Sequence, residues 1–174
     1  PSWQGISGSN PRTITAWVKT DAGNPSAYVA WGTVPGDSAK WHILIPGSGL
    51  LRVAIAGSNI NGITEINDGE WHFTTVVFPD DATVVQDILL YVDGVEEEIS
   101  NITNLDIPID TLTDVEQGAT NVRIGSRDQN GDQFFTGTID EVRIYSRGLS
   151  IAEIQAIMVN EGGYPTGILD YMLY

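Results

Sequence analysis

The side chains able to do chemistry in this chain are its acids, its amides and a few aromatics. It carries 23 Asp and Glu against eight Lys and Arg, with two histidines and no cysteine. Retaining cleavage of a glycosidic bond needs two carboxyl groups about 5–5.5 Å apart. The nearest approach to such a pair is Glu65-Ile-Asn-Asp-Gly-Glu70. On one extended strand Glu65 and Asp68 face opposite ways, and Asp68-Gly69 reads as a turn before Trp71. Those acids do not straddle a sugar linkage. His42 and His72 alone, without cysteine, give little material for a zinc centre or a histidine-based triad. The residues point away from an enzyme.

Binding chemistry has more to draw on. Calcium takes 6–8 oxygens from carboxylates and carbonyls, which irregular acidic loops supply. Asp128-Gln-Asn-Gly-Asp132 sets oxygens at alternate positions around a glycine, making Asp128 and Asp132 candidate ligands. It lacks the downstream glutamate of an EF-hand, and a polar hairpin loop is the competing reading. Asp21 and Asn24 are weaker candidates of the same kind. A sugar needs an aromatic plate for its apolar face and amide, guanidinium or carboxylate partners for its hydroxyls. Tyr28 and Trp41 border loops and are the candidate plates. Arg52 lies opposite Leu51, Val53 and Ile55 on a strand, and Asn59, Asn61, Asp128 and Asn130 are read as loop residues able to rim a concave sheet.

The elements that must position these groups are short strands cut by turn residues, the pattern of a sandwich. Strands are predicted at Thr13–Lys19, Ala27–Trp31, Trp41–Ile45, Leu50–Ile55, Trp71–Phe78, Ile88–Val92, Val95–Ile99, Val122–Gly125 and Ile139–Tyr145. Asp93-Gly94 predicts a two-residue type I′ hairpin, which needs positive φ at both positions. Residues 101–118 read as a long acidic connection. Ser150 and Glu153 have capping-box spacing, and Ile151, Ile154, Ile157 and Met158 recur on one helical face. Trp17, Trp31 and Trp71 are expected in the core, and His72 is expected to pack or hydrogen-bond. The fold class is therefore all-β: a two-sheet antiparallel β-sandwich with one short C-terminal helix.

At 174 residues this is one domain, assigned to 1–160, with 161–174 a tail that packs back or links onward. The start at Pro1 reads as a piece of something longer. A net charge of -15 argues against nucleic acid and anionic membrane surfaces. It also makes a neutral glycan the better expected ligand than an anionic one unless calcium bridges the latter. No apolar run approaches the ~18 residues of a membrane span.

Four segments together resemble one family. Pro11-Arg-Thr-Ile-Thr-Ala-Trp-Val-Lys19, Asp68-Gly-Glu-Trp-His-Phe73, Leu90-Tyr-Val-Asp-Gly94 and Gly137-Thr-Ile-Asp-Glu-Val-Arg-Ile-Tyr145 with Leu149-Ser-Ile-Ala-Glu-Ile154 follow in order. They are similar to the laminin-G-like branch of the concanavalin A-like lectin/glucanase superfamily, over about residues 10 to 158. The resemblance implies a jelly roll whose ligands meet a concave sheet or its loops. It implies a non-catalytic carbohydrate-binding module, monomeric within a larger secreted or cell-surface bacterial protein; protein-binding adhesion is the alternative and a hydrolase or lyase the second. Lyases of similar fold need an arginine-bearing strand beside a Tyr or His base, and no such cluster is visible. The resemblance also makes Asp140 resemble a ligand of a structural calcium. A carboxylate accepting hydrogen bonds from loop backbone is the other reading of Asp140.

Overall fold

The computed structural model describes residues 3–24, 26–32, 39–55, 57–114, 119–127 and 134–160, with backbone only at 101–103. The strands are β1 (Arg12–Lys19), β2 (Ser26–Gly32), β3 (Lys40–Ile45), β4 (Leu50–Ile55), β5 (Ser58–Glu65), β6 (Trp71–Phe78), β7 (Leu89–Val92), β8 (Val95–Glu96), β9 (Ser100–Thr103), β10 (Thr120–Ile124) and β11 (Thr138–Tyr145). They are followed by helix α1 (Ile151–Asn160). Alternation of apolar and polar residues sorts the strands into two antiparallel sheets, ordered β11-β1-β6-β7-β8 and β10-β2-β3-β4-β5-β9. The expected sandwich is the observed one. Asp93 (φ 50) and Gly94 (φ 73) form the predicted positive-φ turn between β7 and β8.

Between the sheets lie Ile14, Ala16 and Val18 of β1, Val76 and Phe78 of β6, and Trp31, Trp41, Ile43, Leu51, Val53 and Ile55 of the facing sheet. A second cluster occupies the outer face of the five-stranded sheet. There Trp17, Phe73, Val77 and Tyr91 meet Leu149 and Ile154, with Trp71, Ile157 and Met158 packed against them. The tryptophans expected in one core are thus split. Trp31 sits inside the sandwich, whereas Trp17 and the partly buried Trp71 sit under the helix. The capping box is made: the Ser150 N–H donates to Glu153 at 2.9 Å, and the Glu153 N–H to Ser150 Oγ at 3.4 Å. Ile151 does not join the buried stripe. It is 45% exposed, at the rim of a surface groove beside Leu89 and Leu149.

Two strands were not expected. Ser58-Asn-Ile-Asn-Gly-Ile-Thr-Glu65 has one fully buried apolar anchor, Ile60, and few residues that favour strands by themselves. Pairing with β4 and β9 makes it β5. Glu97 then serves its edge, accepting from the N–H groups of Ile63 (2.7 Å) and Thr64 (2.8 Å). Gly62 permits that approach, since a Cβ there would stand 2.5 Å from the Glu97 carboxylate. Likewise β9 occupies the start of the supposed irregular connection, and the return from Asp93-Gly94 is only two residues long. Residues 161–174 lie outside the described residues, as does the question of whether they pack back. No described helix is long and apolar enough to cross a membrane.

One end of the sandwich is organised by Arg12, whose side chain is fully buried. Nε donates to the Asn10 carbonyl (2.9 Å), Nη1 to the Ile6 carbonyl and Thr111 Oγ1 (both 3.0 Å), and Nη2 to the Gly8 carbonyl (2.7 Å). The guanidinium carbon stands 4.8 Å from the Trp41 ring centroid, and Trp41 stacks on Trp31 at 6.0 Å. Burial lowers the Arg12 pKa to about 10, so the group stays cationic at neutral pH. Replacing Arg12 by Met leaves several dry carbonyls without donors, each costing about 1–3 kcal/mol. Urea unfolding of Arg12→Met should show a loss on the order of 3 kcal/mol, by the same principle; a loss below about 0.5 kcal/mol, the scatter of ordinary surface changes, would contradict the assigned role.

His72 behaves as a hydrogen-bonding residue. Its Nδ1 meets Asp93 Oδ2 at 2.8 Å and its Nε2 meets Asp68 Oδ1 at 3.2 Å, joining two turns. The hydrogen bond to Asp93 is the main cause that raises its pKa. A raised folded pKa adds stability that is complete below the unfolded imidazole value of about 6.5 and fades as pH climbs through the folded value. The stability difference between wild type and His72→Gln, measured by denaturant unfolding, should therefore shrink from pH 5.5 to pH 9. A difference that grows with pH would reverse the sign.

Candidate functional site

The helix covers one outer face, and the other outer face belongs to the six-stranded sheet. Period-two alternation sets what that face carries. On β3, Trp41, Ile43 and Ile45 turn inward, which sends Lys40, His42 and Leu44 outward. On β4, Leu51, Val53 and Ile55 turn inward, which sends Arg52 and Ala54 outward. Strand register then lines up Arg123, Ala30, His42, Ala54 and Asn59 as one row across the sheet. A second row runs Ala27, Leu44, Arg52 and Asn61. Alanines at the floor keep it low between longer neighbours. The result is a groove of about 420 Å³ lined by Lys40, His42, Leu44, Arg52, Ala54, Ser58, Asn59 and Arg127, among others.

Arg52 is held in place by a cross-strand bond from Nε to Asn61 Oδ1 at 2.7 Å. Burial lowers its pKa. Burial first, and then the nearby Arg127 guanidinium, lowers that of Lys40. Asn59 Oδ1 is buried in the groove without a hydrogen-bond partner. Such a set can hold an anion or several hydroxyls, since it offers charged donors, amide donors and acceptors, and a little apolar surface at Leu44 and Ala54.

Sequence reasoning placed these groups unevenly. Arg52, Asn59 and Asn61 do converge, but Asn59 and Asn61 stand on strand β5 instead of in loops. Tyr28 and Trp41 are corrected outright. They are 1% and 0% exposed, so neither is a surface plate for a sugar. Tyr28 donates to Thr74 Oγ1 at 2.9 Å and meets Phe135 edge-on, and Trp41 is the platform for Arg12. Asp128 and Asn130 lie outside the described residues. Among the described residues the exposed aromatics are Trp3 (39%) and Phe134 (62%). Both flank β10: the Trp3 carbonyl accepts from Val122, and Phe135, next to Phe134, donates to Gly125. Lys40, His42, Arg123 and Arg127 were missed. The alternation Lys40-Trp-His-Ile-Leu-Ile45 carried the signal for two of them once Trp41 is read as inward.

Among the described residues the acid groups form no pair across this groove. Asp68 Oδ1 accepts from the Glu70 N–H at 2.9 Å and meets His72. Glu65 ends β5. Asp140 is buried opposite Trp17, where the β1–β11 register shifts. Its Oδ1 accepts the N–H of Glu141 at 2.8 Å, and Glu141 adopts φ 50. The carboxylate therefore supports a bulge. Among the described residues no three His, Cys, Asp or Glu side chains gather to hold a metal, so calcium at Asp140 would depend mainly on carbonyl oxygens. Asp128 and Asp132 again lie outside the described residues.

This sandwich, with one face helix-covered and one grooved, defines a lectin-like class of domain. The family model described as the concanavalin A-like lectin/glucanases superfamily, Laminin_G_3, matches residues 2–155, and the chain belongs to that family. No curated protein sequence matches it. Among solved structures it is similar to the CBM40 of Ruminococcus gnavus IT-sialidase bound to α2,3-sialyllactose. That likeness has 17% identity, a TM-score of 0.65, and covers 85% of this chain and 82% of that one. It is similar as well to a heptameric SAP-like pentraxin from Limulus polyphemus (16% identity, TM-score 0.59, covering 90% and 76%). Mouse laminin α1 domains LG4-5 match at 12% identity and TM-score 0.56, with 87% of this chain and 40% of that one covered. At these identities the likeness is one of fold.

Proposed function

We propose that this domain is a carbohydrate-binding module that recognises a glycan in the groove on the outer face of the six-stranded sheet. One observation carries the reading: the sheet face left uncovered by the helix converges Arg52, Asn59 and Lys40 over an alanine floor. That combination offers fixed polar partners to hydroxyls and a shallow surface to a sugar ring. A bound sialyllactose in one structural neighbour adds support of an associational kind, since fold alone does not transfer function. Recognition is favoured over bond cleavage because, of the acids nearest to a hydrolase pattern, Asp68 is spent on a turn and on His72 while Glu65 stands apart at the end of β5. The natural setting would be a larger secreted or cell-surface protein, with the module holding its neighbours on polysaccharide. A protein ligand on the same face is the rival reading.

Screening the domain on a glycan array, with and without calcium, tests the proposal. Ala54→Leu raises the groove floor while leaving the sandwich intact. It should reduce glycan affinity at least tenfold, with thermal melting little changed. Failure of the wild-type domain to retain any neutral or acidic glycan would shift the assignment to a protein partner.

A structural calcium ion is the weaker part of the proposal. Calcium present at 100 times its dissociation constant should stabilise the fold by about 2.7 kcal/mol. An unchanged melting midpoint between chelated and calcium-saturated protein would remove calcium from the account.

A further inference from the structure

The charge of this chain is unevenly distributed. Of its eight basic residues, four are committed elsewhere or stand away from the groove. Arg12 is buried on carbonyls, Arg143 pairs with Glu141 at 2.7 Å, Arg147 pairs with Glu153 at 2.7 Å, and Lys19 ends β1. The other four are Lys40, Arg52, Arg123 and Arg127. Three of these stand on strands of the six-stranded sheet, and Arg127 follows β10 to line the groove. The six strands of that sheet contain a single acid, Glu65, at the very end of β5. A protein carrying a net charge of -15 has thus kept all but one carboxylate off these six strands and placed three cations on them.

Among the described residues neither Lys40 nor Arg52 has a carboxylate within ion-pair distance, and Arg52 spends only Nε, on Asn61. The Arg127 guanidinium stands close enough to disfavour the charge on Lys40. Gathering like charges, partly desolvated, is unfavourable unless an anion arrives to offset it. The groove walls exclude part of the solvent, which strengthens any charge-assisted hydrogen bond made inside.

We infer that the groove takes an acidic sugar, with its anionic group held between Lys40 and Arg52. This rests on the glycan reading and narrows it. It also reverses the expectation drawn from net charge, because a ligand responds to the local field of the groove more than to the total. A carboxylate of a sialic or uronic acid and a sulfate ester share the required chemistry. The planar fork of Arg52 matches a carboxylate, whereas Lys40 acts as a point charge toward either.

Calorimetric titration of the domain separates the cases, with 3′-sialyllactose, an oligogalacturonate, a sulfated galactan oligosaccharide and lactose as probes. At least one acidic probe should bind ten times or more tightly than lactose, and its affinity should fall as salt rises. Lys40→Met and Arg52→Gln should each lower that affinity at least tenfold, a larger factor than either costs lactose. Among the described residues the Lys40 side chain makes no hydrogen bond, so Lys40→Met reports on ligand even if Arg52→Gln perturbs β5. Preference for the sulfated probe alone assigns the anion as sulfate, and preference for the other two assigns it as carboxylate. Equal binding of lactose and the acidic probes, or full affinity in Lys40→Met, overturns this inference and leaves the glycan reading in place. Absence of binding to all four probes overturns both.

Discussion

A cation buried without a counter-charge is the constraint on which much of this domain turns. Arg12 leaves water at the end of β1 and is compensated by carbonyls from the N-terminal segment, by Thr111 and by the faces of Trp31, Trp41 and Phe78. Each partner comes from a different part of the chain. The segment before β1 is folded across Trp31, whose Nε1 donates to the same Ile6 carbonyl at 3.1 Å. Gly5, at φ 88, lets the backbone pass that close, since a Cβ there would meet the indole at 2.6 Å. The guanidinium therefore gathers the chain start, a distant connection and both sheets at one point.

The effect reaches the opposite surface through strand alternation. With Trp41 facing inward as the ring beneath Arg12, its neighbours Lys40 and His42 must face outward. A one-residue slip of β3 would invert this arrangement, exposing an indole and burying a lysine, which is prohibitively unfavourable. The interior that fixes Trp41 thus also aims the basic residues of the groove. A core contact and a surface property are linked here by the geometry of one strand.

The two outer faces have been given different tasks. Helix α1 covers the five-stranded sheet over Trp17, Phe73 and Tyr91. It is fastened there by Gln155, which donates to the Gly94 carbonyl at 3.1 Å, and by Thr13, which bonds both Arg147 and Leu149 across the link from β11. The six-stranded sheet carries small and polar residues outward, with no helix of its own among the described residues. Acidic residues elsewhere on the protein make the basic face a local exception, so the field of the groove contrasts with that of its surroundings.

How much of this was legible in the sequence depends on how local its cause is. The strand at Thr13–Lys19, the positive-φ turn at Asp93-Gly94 and the cap at Ser150 were readable because each rests on neighbouring residues and a short period. The family was readable from four motifs in order. Strand β5 was not, since its polar residues are held by partners contributed by β4, β9 and Glu97. The site was legible only in part: Arg52 declared its outward face through the apolar residues on either side of it. Trp41 and Tyr28 misled because nearness to a loop in sequence says little about depth in a sandwich. The sequence by itself determined the sandwich, the helix at its end and the inward faces of the well-patterned strands. The tertiary structure alone decided which sheet face the helix left uncovered and which cations met on it, because register between strands distant in sequence sets those neighbours.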